Sequence, residues 1–445
     1  MARRLAVIGG DAGGMAAATQ ARRLDSSLEI VAFERTEWTS YSACGIPYLV
    51  GGEVAELEQL VARSPQEHRD KSLIDMRVRH EVMGIDLDAG RLEVRDHGHG
   101  RTIQVPFDLL LLGMGARPIR PDLPGIDLAM VQGVQTLADA ARLLHRAETS
   151  ECDNVVVVGG GYIGLELAEA FVARKARVTV VESRDHVMAT LDPDMAIPIE
   201  DAMRRAGIDV RLGTKVTGFE EGAVETSNGS VPADLVVLGI GVEPNSELAE
   251  DAGIELGTRR SIRVDRRQHT SAPDVWAAGD CAQSVHLVSG QPVYVALGTV
   301  ATRQARVAGI NIGGGYATMP GVLGTAVTRI CDTEIGRTGL NEREASEAAF
   351  EYVAATIDST TTASYFADPP QITLKLLAEQ RSGRVLGAQV VGGRGAAKRI
   401  DVLATAITAG MNVQQLVDLD LGYAPPVSPL WDPVATAARV ALSKL

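Results

Sequence analysis

Short apolar runs separated by glycine turns mark out most of this chain. LAVI at 5–8 passes through GGDAGG into an alanine-rich stretch, MAAATQARRLD, and a second run, LEIVAFE, closes at Glu34. The pattern predicts strand, turn, helix and strand, a βαβ unit. The same order returns in DNVVVVGGGYIGLELAEAFVARKARVTVVESR at 153–184. A third stretch, TSAPDVWAAGDCA at 270–282, reads as a short strand ending in Gly279-Asp280 before a helix. From GVLGTAVTRICDTEIGRTGL onward, short alternating strands and two helices predict an α+β unit.

Glycines between a strand and a helix leave the helix N-terminus open to a pyrophosphate. In the first turn Gly9 and Gly14 fit G-x-G-x-x-G, but Asp11 holds the middle position. Gly10 and Gly13 are then expected to supply the close approach, with Asp11 turned away from the phosphates. The second turn is in strict register, with Gly159, Gly161 and Gly164. Glu34 stands 25 residues after Gly9, where a carboxylate accepts from ribose hydroxyls. Glu182 closes the second unit and favours an unphosphorylated ribose, so NADH is the expected nicotinamide donor. Arg184, two residues on, leaves NADPH as the alternative. Two such units in one chain predict two bound dinucleotides. Asp280 at a strand end suits a sugar-alcohol hydroxyl, as in the ribitol of a flavin; the plainer alternative is a helix N-cap.

At 445 residues the chain is too long for one core. A formal net charge of −14 argues against nucleic-acid or anionic-membrane binding, which needs clustered Lys and Arg. No apolar run approaches the ~20 residues that cross a bilayer, and the start lacks a signal-peptide pattern, so a cytoplasmic protein is expected. The four cysteines, Cys44, Cys152, Cys281 and Cys331, show no C-x-x-C spacing, so neither a metal site nor a disulfide framework is expected.

The motifs GGDAGG, SYSACGIPY, GGGYIGLELAE, VWAAGDCA and GYAPPVSPLWDP together resemble the flavoprotein pyridine nucleotide-disulfide oxidoreductases over nearly the full chain. Within them the combination is similar to the single-cysteine branch of coenzyme A-disulfide reductases, NADH oxidases and NADH peroxidases. The resemblance implies an α/β fold: two Rossmann-like domains, for FAD and NAD(P)H, plus an α+β C-terminal dimerisation domain. The FAD domain takes 1–113 and 246–320, the NAD(P)H domain 114–245, and the dimerisation domain 321–445. The crossings are LLLLGMGARPIRP and LVVLGIGVEPN, each an apolar strand followed by breakers. By resemblance FAD lies on Gly9, Gly10, Ala12, Gly13, Glu34, Arg35, Gly115, Asp280, Gly298 and Thr299. NAD(P)H lies on Gly159, Gly161, Tyr162, Ile163, Gly164 and Glu182. A homodimer whose active site is completed by the other subunit is also implied.

In two-cysteine relatives the redox pair is C-x-x-x-x-C; here Leu49 holds the second position. Cys44 must then pair with a small-molecule thiol or form a sulfenic acid. The alternative is a buried small hydrophobe, but a place at the N-terminus of a helix CGIPYLV is expected to lower its pKa. Cys281 reads as packing. Oxidase and peroxidase members carry a His where this chain has Ala12, whereas coenzyme A-disulfide reductases use two tyrosines of the other subunit, matched here by Tyr365 and Tyr423. Gln20, Arg23, Ser40 and Tyr41 would line a coenzyme A channel. Ala43 departs from the Asn that the family often places before the cysteine, which widens the substrate class to persulfides and polysulfide. The expected activity is NAD(P)H-dependent reduction of a low-molecular-weight disulfide or persulfide. The alternative is an NADH oxidase working through a Cys44 sulfenic acid.

Overall fold

In the computed structural model, which describes residues 2–148 and 152–445, strand Arg4–Ile8 pairs in parallel with Glu29–Glu34, Ile8 opposite Phe33. That register sets the glycine turn beside Glu34, and Gly9 N–H donates to Phe33 O at 2.9 Å. The sheet order is Val275–Ala277, Leu109–Leu112, Arg4–Ile8, Glu29–Glu34, Asp75–Val78. Its edge strand at 275–277 comes from beyond the whole second βαβ unit. Helix α1 (Ala12–Leu24) covers one face together with the helix Gly298–Ile312, burying Leu5, Val7, Ala17, Ala21, Ala305 and Ala308. The alanines of α1 have a packing reason. A Cβ on Gly309 would meet Ala17 O at 2.4 Å, so the two helices touch backbone to backbone.

The second sheet is wholly parallel, in the order Asp209–Arg211, Arg177–Val181, Asn154–Val158, Leu235–Leu238, Val131–Gly133. Val158 faces Val181, which again sets a glycine turn beside an acid, here Glu182. The two crossings between the sheets are themselves paired, Ala116–Pro118 antiparallel to Val242–Pro244. Arg117 ties them further, donating to Glu243 at 2.9 Å and Glu247 at 2.5 Å.

The C-terminal unit is a five-stranded antiparallel sheet carrying four helices, not the two read from the sequence. Arg399–Thr408 and Pro433–Leu442 are the long ones. Glu342–Glu347 and Val413–Val417 are too short to show a helical period. Each is started instead by a capping box, Asn341 with Glu344 and Asn412 with Gln415. Lys375 joins this sheet to the second unit. Its ammonium donates to Asp194 at 2.8 Å, to Asp192 at 3.1 Å and to Glu342, while Gln389 also binds Asp192 at 2.7 Å. The three carboxylates converge closely enough to suit a cation, and the lysine already supplies it. No helix among the described residues is long and apolar enough to cross a membrane.

Candidate active site

Gly9 adopts φ +110°, and a Cβ there would lie 2.1 Å from Gly113 O. The first turn is therefore wedged against the end of the neighbouring strand, which fixes where the N-terminus of α1 points. Glu34 Oε2 accepts Gly10 N–H at 3.0 Å and Oε1 accepts Thr36 N–H at 2.9 Å. Oε1 also accepts the Thr36 hydroxyl at 2.9 Å, which leaves Oε2 the lone pair for a ribose hydroxyl. Arg35 beside it is exposed. The second turn repeats the arrangement. Glu182 accepts Gly160 N–H at 2.8 Å and Arg184 N–H at 2.9 Å, and a Cβ on Gly164 would lie 2.3 Å from Gly159 O. Arg184 thus meets Glu182 through its backbone, with its side chain exposed. Tyr162 and Ile163 open the helix Tyr162–Ala173 and pack against the core; the Tyr162 hydroxyl is buried and lies toward Thr190.

Asp11 stands where Gly161 stands in the second turn. Both are N-caps with extended backbones, φ −116° for Asp11 and −87° for Gly161, so no left-handed conformation demands a glycine there. Its carboxyl is largely enclosed and rests against the Tyr41 backbone. Burial, with Glu34 and Asp280 nearby, pushes its pKa up to about 7. Ala12 and Gly13 follow, and Gly13 sits 2.7 Å, by its missing Cβ, from Ala278 O.

No helix follows Asp280. The chain enters a small hairpin, Ser284–Val285 with Pro292–Val293, and the next helix is Gly298–Ile312. The N-cap alternative is therefore removed, and the helix expected after Gly279 is corrected to a hairpin closed by His286 N–H to Gln291 O. Among the described residues nothing donates to the Asp280 carboxylate, and burial pushes its pKa up to about 6. Tyr294, a residue no motif flags, has a buried hydroxyl with no partner among the described residues, and Asp280 adds to the burial that raises its pKa. An unpaired carboxylate and phenol suit the hydroxyls of a flavin's sugar chain. Gly115, at φ +66°, and Gly298 each have open space where a side chain would project, and Thr299 is exposed at the start of its helix. These residues fit a flavin dinucleotide.

Cys44 lies in the 3-10 turn Ala43–Gly45, ahead of the helix Ile46–Gly51. Its residue surface is exposed, while Ile46, Leu49 and Val50 are buried behind it. The expected lowering of its pKa is corrected: desolvation, then the Glu166 and Asp280 carboxylates, push the thiol upward. A six-residue helix that begins after the cysteine offers too weak a dipole to offset them. Glu166, from the second unit, is the neighbour that sequence spacing did not reveal. Its Oε1 accepts the Thr328 hydroxyl at 2.5 Å, and burial raises its own pKa. Cys281 is fully buried, with Sγ 3.4 Å from Leu112 O and a pKa pushed up to about 11, as packing requires.

Ser40 and Tyr41 are brought to the first turn. Ser40 N–H donates to Gly10 O at 3.0 Å, and its hydroxyl lies 2.9 Å from His68 Nε2. Tyr41 is half-buried, its pKa raised by burial and by Asp11. Gln20 and Arg23 lie in the last turns of α1, away from its Gly10 end. Gln20 is set against Gly309, and Arg23 is exposed. Tyr365 and Tyr423 meet on the C-terminal unit, close enough for Tyr423 to raise the Tyr365 pKa, yet they are 72% and 49% exposed. Phe366, Val427, Leu430 and Trp431 are exposed around them. Among the described residues neither tyrosine bonds to the Cys44 loop of its own chain.

A nucleotide turn with a paired acid, repeated, and a lone thiol beside the first, define a two-dinucleotide redox protein. The chain belongs to the pyridine nucleotide-disulphide oxidoreductases. That family's model matches residues 3–305, and the model of its dimerisation domain matches 325–433. The chain is 36% identical to the NAD(P)H sulfur oxidoreductase (CoA-dependent) of Pyrococcus furiosus, over 98% of this chain and 99% of that one. It is 28% identical to the coenzyme A disulfide reductase of Staphylococcus aureus, over 96% of each. Among solved structures it superposes with a TM-score of 0.97 on reduced Bacillus anthracis CoADR-RHD, at 32% identity, covering all of this chain and 80% of that one. The NAD-dependent persulfide reductase from A. fulgidus gives 0.96 at 38% identity, covering 99% and 83%.

Proposed function

We propose that this chain reduces coenzyme A disulfide, or a related low-molecular-weight disulfide or persulfide, through Cys44 alone. The observation that carries the reading is an unpaired cysteine in a surface-exposed turn with a buried leucine, Leu49, where a second cysteine would stand. FAD on the first unit supplies the chemistry that carries two electrons from NAD(P)H to sulfur. The Cys44 thiolate attacks one sulfur of R–S–S–R, forming Cys44–S–S–R and releasing RS⁻, which takes a proton. Two electrons then cleave the mixed disulfide to Cys44 thiolate and a second RS⁻, so each turnover consumes one disulfide, two electrons and two protons. Of Tyr365 and Tyr423 of a partner subunit, which lie side by side, one phenol donates its single proton to the leaving sulfur while the other supports it. Glu182 selects NADH by opposing a 2′-phosphate, with NADPH a secondary donor. Ser40, Tyr41, Gln20 and Arg23 are read as the substrate channel. The domain limits are read as 1–113 with 246–320 for FAD, 114–245 for NAD(P)H, and 321–445 for the dimer.

Anaerobic NADH oxidation with and without coenzyme A disulfide or a persulfide tests this. Stimulation that is lost in Cys44→Ser is the expected result; no stimulation by either substrate overturns it. A second reading, an NADH oxidase using a Cys44 sulfenic acid, draws on the 34% identical relative named NADH oxidase in Methanocaldococcus jannaschii. Ala12 counts against it. Rapid, Cys44-dependent oxygen uptake would favour the oxidase; slow, cysteine-independent uptake excludes it.

A further inference from the structure

The segment 64–72 belongs to no nucleotide motif, yet it delivers a side chain to the site. Ser64 and Glu67 form a capping box and Pro65 occupies the first turn, which fixes the start of the helix Pro65–Ser72. His68 then points inward and is only 1% exposed. Its Nε2 lies 2.9 Å from Ser40 Oγ, and its Nδ1 is buried with no partner among the described residues.

Those two facts choose the tautomer. A proton on Nδ1 would bury an N–H with no acceptor. A proton on Nε2 leaves Nδ1 only an unused lone pair. Buried orphan donors are rarer and costlier than under-used acceptors, so the proton belongs on Nε2. The ring stays neutral, because burial and the neighbouring Arg63 hold its pKa below the ordinary histidine value while Glu67 opposes them. Nε2–H therefore donates to Ser40 Oγ, and the hydroxyl proton of Ser40 is left for another acceptor. The backbone of Ser40 is fixed from both sides: its N–H donates to Gly10 O at 3.0 Å and its C=O accepts Ala62 N–H at 2.8 Å, with φ held at +50°. The arrangement is not a nucleophile pair, since the histidine donates rather than accepts and no carboxylate orients Nδ1.

We propose that His68 is a positioning residue that turns the Ser40 hydroxyl proton outward, toward an acceptor oxygen on the non-reacting part of the disulfide substrate. This rests on the reading that Ser40 lines the substrate channel.

The test is steady-state kinetics of the FAD-loaded enzyme with coenzyme A disulfide as varied substrate, on Ser40→Ala, His68→Phe and His68→Gln. Loss of one neutral hydrogen bond should raise KM about fivefold in Ser40→Ala and His68→Phe with kcat nearly unchanged. His68→Gln, whose amide can still donate to Ser40, should restore KM, and the Ser40→Ala/His68→Phe double variant should be no worse than Ser40→Ala. An unchanged KM in His68→Phe beside a raised one in Ser40→Ala overturns the role of His68 and leaves Ser40 in the channel. An unchanged KM in Ser40→Ala removes Ser40 from the channel and the proposal with it. Nitrogen-15 NMR of the histidines, with His68→Gln as the assignment control, reads the tautomer independently of folding in the Phe variant and of turnover. A proton on Nε2 supports the proposal, and one on Nδ1 overturns it.

Discussion

Arg399 donates through Nε to Asp432 Oδ2 at 3.0 Å, and the same guanidinium donates to Thr361 O at 3.1 Å and Gly395 O at 2.6 Å. Asp432 Oδ1 in turn caps the last helix by accepting Val434 N–H at 2.9 Å. This ion pair, largely shielded from solvent, clamps the two loops that bear Tyr365 and Tyr423, and Ala363 N–H to Pro425 O at 2.8 Å closes them together. Asp432→Ala removes a cap and strands a guanidinium, so it should lower stability by about 2–4 kcal/mol in denaturant titration. Asp432→Asn keeps a capping oxygen and should lose less. Equal loss in both would show that charge alone matters there.

Lys375 is nearly fully buried among Asp192, Asp194 and Glu342. Lys375→Met leaves three carboxylates facing one another without a cation, which should reduce stability by about 3–5 kcal/mol. Adding Asp194→Asn to Lys375→Met removes one of the opposed charges and should recover part of that loss. Urea unfolding of both variants checks this, and a double variant no more stable than Lys375→Met would contradict the arrangement.

The Asp11 carboxyl sits at about 7 in the folded protein against an ordinary 3.8. Between those values the folded state holds a proton that the unfolded chain has released, so folding is progressively disfavoured as pH rises through that window. In FAD-free protein, Asp11→Asn should therefore gain on the parent in melting temperature from about pH 4 to pH 8, with no further gain above. Asp11→Gly, which restores the middle glycine, should also bind FAD more tightly, most clearly above pH 7, where the parent carries a negative charge in the turn that would hold the pyrophosphate. A gap that does not vary with pH would show that the carboxyl is not enclosed.

Cys44 is raised, not lowered, by its surroundings, so little thiolate exists at neutral pH in the FAD-free protein. Iodoacetamide should alkylate it more slowly than free cysteine at pH 7, with a rate that climbs as pH rises past the ordinary thiol range. Glu166→Gln removes one of the carboxylates responsible and should speed alkylation. Alkylation already at its plateau at pH 7 would show that the helix terminus outweighs them.

The sequence by itself determined the parts that depend on neighbours along the chain. A parallel strand pair joined by a helix must bring Gly9 to Glu34 and Gly159 to Glu182, because the register Ile8–Phe33 and Val158–Val181 is set by the apolar runs themselves. The lone cysteine, the missing partner at Leu49 and the family were legible for the same reason. The tertiary structure alone decided what rests on distant residues. The residues after Asp280 carry no local signal that tells a hairpin from a helix. The sign of the Cys44 shift comes from burial first, then from Glu166 and Asp280, contributed by segments far along the chain. Electrostatic fields and hydrogen bonds act through space. Asp11 against Tyr41, Tyr365 against Tyr423, and His68 against Ser40 therefore become pairs only once the chain has folded.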